Sequence, residues 1–216
     1  MTSRIDPMGT ETFEPPRLGP TQRRRRHLLR AIGLLALPPL FLCGSRWADD
    51  GTAHHLIEAF GLFLILLCIA GRSLCSLYIG GRKCSELVTI GPYSVTRNPL
   101  YFFSLLGAIG AGLQAGSLLI GTLAGLGFVL VFHRLILREE QFLARQFPQF
   151  SEYQATTPRW IPSLRRWNSP SQLSFEPARL FHTLRDSSWF LLAWPFFELI
   201  EWLHAEGLCR TIISIY

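Results

Sequence analysis

Apolar residues along this chain fall into long runs, and polar residues collect between them. No strict alternation or narrow helical stripe organises these runs, so they read as helices that are apolar nearly all round. The first, Leu28 to Cys43, contains Pro38-Pro39 and is therefore short and kinked or broken. The second, Leu56 to Gly71, has Glu58 as its only charge and continues to Tyr78 or Ile79. A polar connector, Gly80 to Arg97, follows. Between Asn98 and Phe132 there is then no charged residue across 35 positions. One straight helix of that length would reach about 52 Å, against a hydrocarbon core of about 30 Å. The segment must fold back, and Gly112-Leu113-Gln114-Ala115-Gly116 is the natural break. The spacings Gly112-xxx-Gly116 and Gly121-xxx-Gly125 suit a close helix–helix seam.

A last apolar piece, Ser187 to Phe197, runs into Glu198, Glu201 and His204. An amphipathic helix at the interface is expected there, with a fifth span as the alternative. The pattern thus predicts an all-α polytopic membrane protein with about four transmembrane helices and a tight helical hairpin near 99–137. Residues 1–27 read as a disordered basic tail, 28–166 as the membrane domain and 167–216 as a C-terminal extension.

Composition agrees with that picture. Of 216 residues, 49% are hydrophobic and 17% charged, with a mean hydropathy of +0.25; soluble domains carry nearer a quarter charged residues. Charge placement then orients the chain. Of 21 Lys and Arg, 7 lie in residues 1–30, 4 in 72–97 and 8 in 134–185, and none in 114–117. By the positive-inside rule the N-terminus, the 80–97 connector and the region after 134 are cytoplasmic. In a bacterium this would be the inner membrane.

The run Arg23–Arg26 abuts an apolar helix and reads as a topology signal or a hold on anionic lipid. No aromatic or Gly-rich reader accompanies it, so no nucleic-acid partner is expected. The 5 cysteines form no C-x-x-C, and the histidines show no ligand spacing apart from the adjacent pair His54-His55, placed outside. No metal site is expected.

Two polar clusters remain, both assigned to the cytoplasmic side. One is Gly91-Pro92-Tyr93-Ser94-Val95-Thr96-Arg97-Asn98-Pro99-Leu100-Tyr101, readable as a turn and helix start with Asn98 as cap and Pro99 in the first helical position. The other is Arg134 to Glu140, at the inner end of the last hairpin helix. A hairpin with its turn outside brings its two ends to one rim. Tyr93, Arg97, Asn98 and Tyr101 would there face Arg134, Arg138, Glu139 and Glu140. Carboxylates suit an ammonium, tyrosine faces a cation, and arginines a carboxylate. That inventory fits a zwitterionic sulfonium ligand beside a lipidic one.

Gly91-Pro92-Tyr93, Arg97-Asn98-Pro99-Leu100-Tyr101, Glu139-Glu140, Leu143, Phe147, Tyr153 and Pro158-Arg159-Trp160-Ile161-Pro162 together resemble the isoprenylcysteine carboxyl methyltransferase family, itself related to phospholipid methyltransferases. The resemblance covers roughly residues 55–166. It implies an integral membrane enzyme using S-adenosylmethionine on a lipid or lipid-like methyl acceptor. It also implies that Ser85 to Val88, hence Leu87 and Val88, line the cofactor site. Tyr93, Arg97, Asn98, Pro99, Leu100 and Tyr101 join them, and Glu139 matches the acid that binds the cofactor. Arg134, Arg138 and Glu140 are the candidates for acceptor binding and catalysis.

The chain departs from the family pattern at several points. Asn98 stands where the family has His, and Asn cannot titrate. Phe103 replaces a Gly, and Leu135 replaces an Arg. Two rival readings are a membrane reductase using NADPH, with Arg97, Arg134 and Arg138 on a 2′-phosphate, and a non-enzymatic membrane anchor. With the hairpin turn outside, a cysteine introduced within 114–117 reacts with impermeant reagents applied from that side. Labelling only from the cytoplasmic side would overturn the hairpin's orientation.

Overall fold

The computed structural model describes residues 51–79 and 86–208 in full. Short extended pairs, Arg4–Ile5 with Glu11–Thr12 and Cys43–Ser45 with Ile213–Ile215, are described by backbone pairing alone. The chain divides into two units, Met1–Leu40 and Phe41–Tyr216, and the helices described belong to the second. Apart from those pairs, the basic tail, the first apolar run up to Leu42 and residues 46–50, 80–85 and 209–212 lie outside the described residues.

Residues 51–79 and 86–208 are helices and connecting loops. Helix α1 is Thr52–Ile79, α2 the single turn Pro92–Val95, α3 Pro99–Leu113, α4 Leu118–Gln146 and α5 Phe150–Thr156. After a 3₁₀ turn at Leu164–Arg166 come α6, Pro177–Ser188, a 3₁₀ turn at Trp189–Leu192, and α7, Ala193–Ala205. Helices α1 and α4 are long and apolar enough to cross a membrane, and α3 is a shorter apolar helix. All three fall on predicted apolar runs, and among the described residues two of them, α1 and α4, have the length of a span.

Both long helices have two apolar faces of different kinds. On α1 the buried residues Gly61, Leu64, Ile65, Cys68, Gly71 and Cys75 recur at helical spacing, while Leu56, Phe60, Phe63 and Leu67 stay exposed. On α4 the exposed stripe is Leu119, Leu123, Leu126 and Leu130. Continuous stripes of large exposed apolar side chains are costly in water and favourable against lipid tails.

Between helices, lipid supplies no hydrophobic driving force, so close packing must hold the seam. Small residues permit it. A Cβ on Gly110 of α3 would lie 2.5 Å from the Gly61 carbonyl of α1, and one on Gly107 would lie 2.6 Å from Cys68 Sγ. Across the α3–α4 seam, a Cβ on Gly121 would meet the Leu113 side chain at 2.5 Å, and one on Gly125 would meet Ile109 at 2.7 Å. Gly112 packs beside Gly121. Gly116 takes no part in that seam: it sits in the turn with φ +60, a conformation that only glycine adopts without strain. The predicted break is where the chain turns, and Ser117 caps α4 by accepting from the Ile120 amide at 3.4 Å.

The C-terminal segment forms two helices, and the first, α6, is the amphipathic one, with Arg179, His182, Arg185 and Asp186 exposed. The segment runs antiparallel to α1 along that helix. Ser76 donates to the Arg179 carbonyl at 3.4 Å, Arg72 Nε donates to Ser187 Oγ at 2.8 Å, and His54 meets Glu201 at 3.2 Å. As α1 is followed backwards from 76 to 54, the partner advances from 179 to 201. The segment is held along α1 by these polar contacts, and among the described residues neither α6 nor α7 is long and apolar enough to count as a membrane span. Pro195 lies in the first turn of α7, where its missing N–H is tolerated, and the chain tightens to a 3₁₀ turn just before it.

The seam generates a contrast. Gly110→Ala forces backbone apart and costs about 1–3 kcal/mol. Gly127→Ala meets nothing within 4 Å and is neutral or mildly stabilising. Thermal unfolding of both variants in one detergent separates them; equal stability would dismantle the seam.

Candidate functional site

The loop from Gly91 to Asn98 is wrapped by the segment 158–169. Gly91 adopts φ +60, and Tyr78 packs against it so closely that a Cβ would strike the ring. Its amide donates to the Asn168 carbonyl at 2.6 Å, and Ser94 Oγ accepts from the Asn168 amide at 3.0 Å. The Arg97 amide donates to the Pro158 carbonyl at 2.9 Å, the Ser163 amide to the Val95 carbonyl at 2.9 Å, and Thr96 Oγ1 to the Arg159 carbonyl at 3.1 Å. The two motifs are thus one folded unit.

At its centre lies Glu140, 5% exposed. Arg159 grips its carboxylate in a bidentate fork, with Nε donating to Oε1 at 3.2 Å and Nη2 to Oε2 at 2.9 Å. Asn98 Nδ2 donates to Oε1 at 3.0 Å, and Arg97 Nε lies 3.4 Å from the same oxygen. Two guanidiniums balance one buried carboxylate, and charge-assisted forks of this kind are the strong ones. The local sequence predicts Asn98 as the cap of α3, but its side chain makes no cap bond. It is turned instead to Glu140 and to the Arg159 carbonyl, 3.3 Å away. Pro99 does occupy the first helical position, fully buried.

Glu139, one residue earlier, faces differently. It is half-buried, and its carboxylate accepts from Tyr101 Oη at 2.9 Å. Among the described residues no cation pairs with it. Tyr101 in turn packs on Phe132, which stacks on Phe128 with ring centroids 4.2 Å apart. Close by, the Tyr93 hydroxyl is buried without a hydrogen-bond partner among the described residues. Burial pushes that phenol well above its ordinary range, and Cys75, Tyr153 and the Glu139 carboxylate push it the same way. Burial likewise raises Tyr153, whose hydroxyl donates to the Tyr93 carbonyl at 2.6 Å. Tyr93, Cys75 and Tyr78 form a buried cluster, with Val88, Leu100 and Phe103 packed on it.

Tyr93, Arg97, Asn98, Pro99, Leu100, Tyr101, Glu139, Glu140 and Val88 therefore lie around one rim. Leu87 is half-buried in the adjoining loop, and Ser85 lies outside the described residues. Arg134 and Arg138 are not brought in. Both are exposed and continue the outward stripe of Leu123, Leu126 and Leu130, because steps of three and four residues keep one helical face. Long basic side chains at that position reach toward head groups. Sequence reasoning groups residues by which end of the helix they occupy, and helical phase decides which face they share.

In the sequence Arg159 reads only as part of a motif, and its role as partner to Glu140 is missed. An acid pair with only one cation in view is the signal that a second should exist. Arg72 is missed as well. It donates to Ser104 on α3 and to Ser187 on α6 from within an otherwise apolar helix, and a charge in that setting is itself a signal.

The profile of the phospholipid methyltransferase family matches residues 56–149. The chain is 35% identical over 194 residues to the cobalt-zinc-cadmium resistance protein CzcN of Cupriavidus metallidurans, covering 89% of each chain. It is 34% identical over 169 residues to the nickel-cobalt-cadmium resistance protein NccN of Alcaligenes xylosoxydans xylosoxydans, covering 78% of this chain and 79% of that one. No solved structure matches.

The Glu140 network predicts a stability effect. Glu140→Gln leaves two arginines without their anion and costs about 3–5 kcal/mol. Arg159→Lys, which cannot reproduce the fork, costs less but measurably. Thermal unfolding followed by tryptophan fluorescence reads both, and a wild-type midpoint for Glu140→Gln would contradict the network. The tyrosines add a pH term. Their folded pKa values stand above the unfolded one, so stability is full below pH about 10 and falls as pH rises beyond it.

Proposed function

The chain belongs to the phospholipid methyltransferase family, and on that premise we propose that it is an S-adenosylmethionine-dependent enzyme methylating a lipid or lipid-like acceptor at the cytoplasmic face of the membrane. One observation carries this reading. Glu139 is a half-buried carboxylate whose partner among the described residues is a phenol and not a cation. Beside it stands Tyr93, with a buried hydroxyl lacking a partner among the described residues. Groups so placed are stabilised by a ligand bearing a positive charge and hydrogen-bonding atoms.

The residues fit that cofactor. Glu139 holds its ammonium, Tyr101 keeps the carboxylate aimed, and the faces of Tyr101 and Phe132 suit a sulfonium. When bound, S-adenosylmethionine supplies an activated methyl group. The protein's share is positioning in a water-poor site, where orientation alone lowers the barrier. The Arg97–Glu140–Arg159 network fixes the loop that carries Tyr93 and leads into Tyr101. With its oxygens already gripped by Arg159 and Asn98, Glu140 serves as a brace and not as a base. An acceptor that is ionised in its own right therefore suits the site best, since it needs no proton removed.

The reductase alternative relies on Arg97, Arg134 and Arg138 for a phosphate, but Arg97 is already paired with Glu140 and the other two are exposed on a different face of α4. The relatives' names attach metal resistance to this kind of chain, so we infer that the methylated product serves the membrane under such stress.

The test is calorimetric titration of S-adenosylmethionine into wild-type and Glu139→Gln protein in one detergent. A charge-assisted bond in a shielded site is worth roughly 1.5–3 kcal/mol, so affinity falls on the order of tenfold to a hundredfold. Wild-type affinity in Glu139→Gln would remove Glu139 from the cofactor site.

A further inference from the structure

At the end of α1 remote from Glu140, three side chains converge that the methyltransferase reading does not use. His54 and Glu58 stand one turn apart on α1, and Glu201 reaches over from α7. Their ligand atoms all lie within 4.8 Å of one another. We propose that His54, Glu58 and Glu201 form a binding site for a divalent transition-metal ion.

The geometry around His54 is the argument. The imidazole is 1% exposed, and neither ring nitrogen has a hydrogen-bond partner among the described residues. Yet Nε2 lies 3.3 Å from Glu58 Oε1 and 3.2 Å from Glu201 Oε1. Those separations are short enough for hydrogen bonds, so it is direction that fails: neither oxygen lies along the N–H direction of Nε2. That is the disposition of ligands sharing an ion. Around a tetrahedral ion with bonds of 2.0–2.1 Å, neighbouring ligand atoms stand about 3.3 Å apart.

The surroundings hold the three in place. Gly116, in its positive-φ turn, presses on the Nδ1 edge of the ring so closely that any side chain there would collide. Gln114 donates to the Glu58 carbonyl at 2.9 Å, tying the hairpin turn to the same turn of α1. His55 Nδ1 approaches the other Glu58 oxygen at 3.5 Å from the exposed side. Three protein ligands leave a coordination position for water.

Ligand chemistry sets the class of ion. Imidazole with two carboxylates suits zinc, cobalt or nickel, whereas calcium and magnesium take oxygen alone. The acids come from α1 and α7, so an ion there would join the C-terminal helix to α1 at this end. A protonated His54 between two carboxylates is the competing arrangement, and it binds no metal.

The experiment uses the full chain in detergent, stripped with a chelator and titrated calorimetrically with Zn²⁺, then with Ca²⁺. Wild type takes up one Zn²⁺ and no Ca²⁺, and Zn²⁺ raises its unfolding temperature. Glu201→Gln, which keeps shape at a partly exposed position, weakens Zn²⁺ binding at least tenfold and abolishes that rise. His54→Ala does the same, while S-adenosylmethionine affinity stays at the wild-type value in Glu201→Gln. No Zn²⁺ uptake by wild type, or undiminished uptake by both variants, would overturn the site. Loss of cofactor binding in wild type would bear on the methyltransferase reading and leave this one standing.

Discussion

The carboxylate of Glu140 gathers three stretches of chain that are far apart in sequence. It sits on α4, Arg97 and Asn98 come from the loop before α3, and Arg159 comes from the segment beyond α5. A lone charge buried there would cost several kcal/mol, so none of the three segments can leave without the others. The loop that is held this way carries Tyr93 at one end and delivers Tyr101 at the other. Glu139 then occupies the preceding position on α4, about 100° round the helix from the anchored acid. Anchoring one acid is what leaves its neighbour facing the site without a cation.

The membrane setting imposes the other constraint. Against lipid tails, α1 and α4 gain nothing by hiding leucine, so their large apolar residues face outward and glycine lines the seams. The polar contacts between α1 and the C-terminal segment are strung along that packing: Ser76 with Arg179, Arg72 with Ser187, His54 with Glu201. They tie the C-terminal helices to α1 from the rim to the opposite end.

Much of this was legible in the residues. Charge-free length required the hairpin, and glycine with Gln114 marked its turn to the residue. The rim motifs were legible as a set, since Gly91, Pro92 and Pro99 are turn and helix-start residues whatever their function. Three things were not. Helical phase put Arg134 and Arg138 outside, because their address at the inner end of α4 says nothing of which way they point. Asn98 passed for a cap because its local sequence suits one, while the partner that claims it lies 42 positions away. The packing of the C-terminal helices along α1 was not legible, because the partners of their polar groups, Arg72 and His54, belong to a distant helix.

The central claim is that Glu139 holds a methyl donor beside a lipidic acceptor. Supplying isotopically labelled S-adenosylmethionine to membranes that contain this chain, and resolving the lipid extract by mass spectrometry, tests it most directly. A labelled lipid-soluble species should form with the wild-type chain and be nearly absent with Glu139→Gln at equal protein level. Absence of label with the wild type, or equal label with both, would contradict the account.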